Sequence, residues 1–187
     1  MTSGRGQLIL FLSAALAGTP AAAAEIATSD GRVALTYDDA AWTGALDSAG
    51  LPELACKADS CGGNTAGCGT VLVQHEGEAL SRESFENGFR ENLGPSAVDS
   101  ANANGGSNAE IANQASVTTY GSNTGVTLSL RVSFEGQPTR VDHFWLQSGR
   151  DLVGFTCLVA DDRYEGAAPA FQQVFTRAAV ATEGSSQ

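Results

Sequence analysis

The side chains whose type and spacing offer the most definite chemistry in this sequence are its four cysteines: Cys56, Cys61, Cys68 and Cys157. An even number of cysteines in an exported chain predicts two disulfides, and three pairings are possible. We favour Cys61–Cys68, because the glycine-rich segment between them is typical of a flexible loop. Cys56–Cys157 would then join distant segments and restrict the unfolded chain by about 4 kcal/mol.

A zinc site is the alternative use of the same residues, with Cys56, Cys61, Cys68 and His75 as ligands. Structural zinc sites contain cysteine pairs separated by two residues, and this spacing is missing here. Redox-active cysteine pairs use the same short spacing. The sequence therefore predicts disulfides, with no metal and no cofactor.

The two histidines, His75 and His143, are the remaining candidates for acid–base chemistry, and both lie in predicted strands. Asp142 precedes His143, but neighbours on a strand point to opposite faces, so we expect no pairing between them. Residues 121–125 lack the serine spacing of a nucleophile elbow. The sequence predicts no catalytic residue; the alternative is a hydrolase-type enzyme with an unrecognised site near His75.

Two further groups could bind a ligand. Phe144 and Trp145 are adjacent in a predicted strand, so their rings must point to opposite faces. We predict that helices cover both rings, with an exposed aromatic anchor as the alternative. The acidic residues Asp161, Asp162 and Glu165 predict a solvated turn, with a loosely bound cation as the alternative.

The N-terminal residues have the pattern of a secretory signal peptide. Arg5 provides positive charge, residues 8–17 are apolar, and small residues at 22–24 suit cleavage after Ala24. This predicts a signal peptide over 1–24, a single domain over 25–182 and a disordered tail over 183–187. We expect a bacterial periplasmic or secreted protein with no transmembrane segment after processing.

Composition narrows the choice of partners. The chain has 187 residues, 21 acidic and 10 basic, and a formal net charge of −11. Nucleic acids and anionic lipids would be repelled, so we expect neither as a partner. The hydrophobic fraction of 42% is sufficient for a core, and we expect a monomer.

The first half of the chain predicts strands at 32–37, 54–58 and 69–75 and then a helix. Ser81 can cap this helix, and Phe85, Phe89 and Leu93 form an apolar stripe that would pack on a sheet. Gly94-Pro95 predicts its end. Residues 96–108 are small and polar, and predict a mobile loop.

The second half predicts an antiparallel meander. Residues 126–134 alternate between apolar and polar side chains, and turns separate this strand from strands at 139–147 and 151–160. Pro169 predicts the start of a final helix. The order of elements indicates an α+β fold with an antiparallel sheet.

Three stretches resemble the PsbP-like superfamily. They are residues 33–37 followed by Trp42, residues 148–157, and Tyr164 followed by residues 169–175. In order and spacing the likeness covers most of the chain after the predicted signal peptide. The resemblance implies an α/β/α sandwich with a binding or accessory role, often without catalysis, and it supplies no catalytic residue.

Together these observations predict an exported, disulfide-stabilised, non-catalytic binding or accessory domain. The partner would be a protein or a small ligand. We expect it to bind at residues 96–108, at the cysteine-flanked loop or at an edge of the sheet.

Overall fold

The computed structural model describes residues 23–74, 81–149 and 151–181. Its strands are β1 Ala23–Ala27, β2 Val33–Asp38, β3 Trp42–Leu46, β4 Pro52–Cys56, β5 Gly67–Gln74, β6 Gly106–Tyr120, β7 Asn123–Phe134, β8 Gln137–Ser148, β9 Asp151–Ala160 and β10 Ala178–Val180. Its helices are α1 Arg82–Ala103 and α2 Tyr164–Arg177, with short 3-10 turns at Asp59–Cys61, Gly63–Thr65 and Asp161–Arg163.

Two antiparallel sheets organise the described residues. The large sheet has seven strands in the order β3-β4-β5-β9-β8-β7-β6, and the small sheet has the order β1-β2-β10. Helix α1 packs on one face of the large sheet. Helix α2 and the small sheet pack on the other. The predicted α+β fold with an antiparallel sheet is confirmed, whereas the separate small sheet was not predicted.

The main core lies between the large sheet, α2 and the small sheet. Trp42 is buried there, with its ring 6.3 Å from that of Phe171. Phe144 and Phe175 are also fully buried, and their rings are 5.4 Å apart. These contacts fix α2 over β8 and β9, because large aromatic side chains dominate the energetics of such cores.

Helix α1 continues past the predicted stop at Gly94-Pro95 and includes residues 96–103, so the predicted mobile loop is wrong for most of its length. Proline removes one backbone hydrogen bond, but packing of a helix face outweighs that local cost. Gly94 serves close packing here, because a Cβ at this position would lie 2.9 Å from Ile111 Cδ1. The predicted cap is confirmed, since Ser81 Oγ accepts a hydrogen bond from Ser84 N at 3.1 Å.

Helix α2 begins at Tyr164, five residues before the predicted start at Pro169. The helix includes Pro169 because its buried residues extend to both sides of the proline, from Ala167 to Phe171 and beyond. Burial of this face decides the helix bounds more strongly than the local preference of one residue.

The described residues contain two disulfides, but the predicted pairing is wrong. Cys68 pairs with Cys157, with a Cα–Cα distance of 4.0 Å, because these residues are direct neighbours across β5 and β9. Cys56 pairs with Cys61, with a Cα–Cα distance of 5.9 Å. The first 3-10 turn, which ends at Cys61, brings the two residues together. The zinc alternative requires cysteine thiolates, and all four sulfurs are engaged in these bonds.

Several predictions lie at or beyond the limits of the described residues. Residues 1–22 of the predicted signal peptide, the predicted tail over 183–187 and His75 are outside them. Ala23 and Ala24, the last residues before the predicted cleavage point, pair with Asp38 and Tyr37 in the small sheet. No helix in the described part of the chain is long and apolar enough to cross a membrane.

Candidate ligand-binding site

A groove lies between α1 and the face of the large sheet beneath it, and we call it the helix groove. Four strands supply its floor, β5, β9, β8 and β7, while the helix supplies its roof. The cavity measures about 500 Å³, within the usual range of small-molecule sites. Its apolar lining is Val71, Phe89, Leu93, Ala97, Ala101, Leu130, Phe134, Val141, Trp145 and Leu158.

Small residues of α1 make room for this groove. Ser96, Ala97, Ser100 and Ala101 line it and recur at helical spacing along one side of the helix. Residues three and four apart lie on the same helix face, so the short side chains leave a continuous gap above the sheet. These residues belong to the segment 96–108, for which the sequence predicts a mobile loop.

Trp145 forms one wall of the groove. Its indole lies across Gly154 of the neighbouring strand, where a Cβ would come within 2.7 Å of the ring. The indole also contacts Phe89 of α1, with the two ring centroids 5.4 Å apart. Within the described residues, the buried indole Nε1 has no hydrogen-bond partner. A buried donor without a partner is uncommon, and this nitrogen is closed to solvent and so to a ligand in the groove.

His143 contributes the titratable side chain in the groove lining. Its Nδ1 lies 2.9 Å from Thr156 Oγ1 on the adjacent strand. Burial lowers the pKa of His143 from 6.5 to about 4. The imidazole is therefore neutral at physiological pH, and it adds a polar but uncharged group to an apolar site.

The groove continues onto uncovered sheet. Beyond the edge of α1, Val71, Val73 and Leu158 are 42%, 44% and 39% exposed. A second depression of about 560 Å³ extends across β3, β4 and β5 and shares Val71, Thr156 and Leu158 with the helix groove. The two depressions together form an open apolar trench across the face of the large sheet.

Adjacent side chains of β8 serve the two faces of the large sheet. Asp142 and His143 do point to opposite faces, since Asp142 contacts Tyr164 of α2 whereas His143 lines the groove under α1. Phe144 and Trp145 also separate as expected, but Trp145 is only half-buried. Helices contact both rings, as predicted: Phe175 of α2 lies against Phe144, and Phe89 of α1 lies against Trp145 and covers it in part.

The predicted acidic turn has more structure than expected. Asp161 accepts hydrogen bonds from Arg140 Nε and Arg131 Nε, both at 3.2 Å. Asp162 and Glu165 are exposed, as a solvated turn requires. Among the described residues, no group of three or more histidine, cysteine or acidic side chains could hold a metal ion.

No protein-family model and no curated protein matches this chain. Solved structures with the same fold include cyanobacterial PsbP from Synechocystis sp. PCC 6803, with a TM-score of 0.60 and 15% identity over 90% of this chain and 98% of that one. LpqN of Mycobacterium tuberculosis gives a TM-score of 0.55 and 11% identity over 88% and 87% of the two chains.

A crystal structure from Bacteroides thetaiotaomicron VPI-5482 also has this fold, with a TM-score of 0.55 and 14% identity over 86% of this chain. The chain spans about half of that structure, 49% of its length. These comparisons confirm the PsbP-like resemblance at the level of the fold, and at such identities they show the fold alone.

Proposed function

We propose that this chain is an extracytoplasmic, non-catalytic binding domain that holds a neutral aliphatic ligand in the helix groove. The observation that carries this proposal is the lining of the groove. It is a cavity of about 500 Å³ lined mainly by apolar side chains from α1 and from four strands, with one neutral histidine and a few hydroxyl and amide groups.

The charges around the groove favour a neutral ligand. None of the described residues that line it is acidic, lysine or arginine, so nothing there would neutralise a charged head group. The net charge of −11 adds a general repulsion of anions. The hydroxyl groups of Ser96 and Ser100 line the groove and can hydrogen-bond to a hydroxyl or carbonyl oxygen of an otherwise apolar ligand.

The shape of the trench favours a chain-like ligand. The helix groove and the second depression are continuous through Val71 and Leu158, so an aliphatic chain can follow the sheet surface and leave its end in solvent. Burial of methylene groups contributes roughly 0.8 kcal/mol each, which accounts for useful affinity from a chain of moderate length.

Three observations support an extracytoplasmic location. Two disulfides are typical of oxidising compartments. Residues 1–24 have the composition of a secretory signal peptide. LpqN, one of the proteins with the same fold, is described as involved in cell envelope biogenesis. We expect mass spectrometry of the exported protein to give an N-terminus near residue 25 and no free thiol after unfolding without reductant.

The ligand proposal is tested by titrating the purified protein with 1-decanol and following tryptophan fluorescence. Ala101→Leu adds three carbon atoms to a residue that lines the groove and should weaken binding at least tenfold. Ala103→Leu is the matched control, because Ala103 is exposed on the same helix and should change binding by less than twofold. Decanoate should bind more weakly than decanol. Equal binding by both variants would contradict the proposed site.

A further inference from the structure

A second and separate cleft lies on the opposite face of the large sheet, under α2. We call it the Asp142 cleft. It measures about 230 Å³ and is lined by polar groups of β6 and α2, among them Asn113, Gln114 and Gln172, with Asp142 of β8 and two tyrosines, Tyr120 and Tyr164. A cavity of this size suits a ligand of a few heavy atoms, smaller than the usual drug-sized ligand.

Asp142 is held rigidly in this cleft. Ser129 Oγ donates to its Oδ1 at 2.5 Å, and the Tyr164 hydroxyl contacts Oδ1 at 3.2 Å and Oδ2 at 3.0 Å. A carboxylate can accept about four hydrogen bonds, so acceptor capacity remains on the side that faces the cleft. The two donors fix the orientation of the carboxylate before any ligand arrives, which lowers the entropic cost of binding.

The charge of Asp142 is incompletely balanced. The nearby Arg140 stacks over the Tyr164 ring at 4.4 Å from its centroid and donates to Asp161. None of the described residues lining the cleft is a lysine or an arginine. Burial raises the pKa of Asp142 above its ordinary value in spite of the hydrogen bonds from Ser129 and Tyr164 and the charge of Arg140. A cation in the cleft would relieve this desolvation penalty.

We propose that the Asp142 cleft binds a small primary ammonium ion. The ammonium group would donate one hydrogen bond to Asp142 and others to the side-chain amide oxygens of residues such as Gln114 and Gln172. Tyr120 and Phe175 add apolar surface to the same cavity, which the small aliphatic part of such an ion can contact. The Asp142 side chain faces α2, so this site lies on the other face of the sheet from the helix groove, although His143 borders both cavities.

The lining favours an organic ammonium ion over a metal ion. A divalent cation requires several oxygen ligands, commonly more than one of them a carboxylate, whereas the cleft contains one carboxylate. The cavity is also much larger than a bare metal ion. One carboxylate beside apolar surface suits a group that combines N–H donors with a small apolar part.

The test is an NMR titration of the purified protein with methylammonium chloride, read from the side-chain amide signals of Gln114. Sodium chloride at equal concentration is the reference for ionic strength. Asp142→Asn keeps the size of the side chain and removes its charge, and should weaken binding at least tenfold. Asp162→Asn makes the same charge change at an exposed residue and should leave binding within twofold.

A second variant tests the same site in case Asp142→Asn does not fold. Gln172 is exposed on α2, so Gln172→Ala should preserve the fold, remove one acceptor and weaken binding about threefold. Tetramethylammonium has no N–H donor and should bind more weakly than methylammonium. The proposal is overturned if sodium chloride alone reproduces the shifts, or if Asp142→Asn and Gln172→Ala both bind methylammonium as the unaltered protein does.

Discussion

Replacing His143 with glutamine should make the stability of the protein less sensitive to acid. In the folded protein burial lowers the pKa of His143 to about 4, whereas an unfolded histidine titrates near 6.5. Between these two pH values the unfolded state binds the proton and the folded state does not. The free energy of unfolding therefore falls as the pH falls through this window, and it is unaffected by His143 above pH 6.5.

The magnitude follows from the size of this window. A pH of 5.0 is about 1.5 units below the pKa of the imidazole in the unfolded state. The resulting loss in the free energy of unfolding is about 2 kcal/mol, at 1.36 kcal/mol per unit. Solvent reaches the half-buried side chain from the groove and reduces the expected loss to about 1–2 kcal/mol. His143→Gln removes this loss, because glutamine does not titrate.

The assay is urea unfolding of both proteins at pH 7.5 and at pH 5.0. Carboxyl groups titrate alike in the two proteins, so the difference between their pH dependences isolates His143. We expect the unaltered protein to lose about 1–2 kcal/mol more than His143→Gln on acidification. Parallel losses would show that His143 titrates normally in the folded state, and the description of a neutral imidazole in the groove would then be wrong.

Two further predictions concern the disulfides and the groove wall. Replacing both cysteines of the Cys68–Cys157 disulfide with alanine should lower the free energy of unfolding by about 4–5 kcal/mol, and the same change at Cys56–Cys61 by about 2 kcal/mol. The chain-entropy model gives this difference because the sequence separations are 89 and 5 residues. Equal losses in urea unfolding would contradict it. Gly154→Ala should displace the overlying indole of Trp145, shift its fluorescence emission and weaken decanol binding severalfold. Gly166→Ala, whose new Cβ meets no atom within 4 Å, should have none of these effects.

The strands and the faces of the meander could be predicted from the sequence. The bounds of β9 agree with the predicted strand at 151–160, because turn residues flank an apolar run. Adjacent residues of a strand point to opposite faces, and this rule alone predicted that Asp142 and His143 of β8 would not pair. These features depend on local periodicity, which the sequence carries directly.

The helix groove could not be predicted because it depends on tertiary contacts. Gly94-Pro95 is a strong local stop signal, yet packing against β6 and β7 keeps α1 helical through Ala103. The small residues from Ser96 onward recur at helical spacing, and this signal could have indicated a helix face that approaches a sheet. Their polarity instead resembled that of a loop.

The disulfide pairing was beyond sequence reasoning for a similar reason. Loop length favoured a bond between Cys61 and Cys68, but the pairing depends on which strand adjoins β5. In the folded protein β9 is that strand, and its register sets Cys157 directly opposite Cys68. Sequence separation alone does not report strand order.

Quenching of tryptophan fluorescence by a decanol brominated near its chain end tests most directly whether the helix groove holds an aliphatic ligand. Bromine quenches an indole only at close range, and the two tryptophans occupy different places: Trp145 lines the groove, whereas Trp42 is buried in the core on the other face. We predict that Trp42→Phe retains saturable quenching and that Trp145→Phe loses it. Quenching that persists in Trp145→Phe, or that is absent from both variants, would contradict the account.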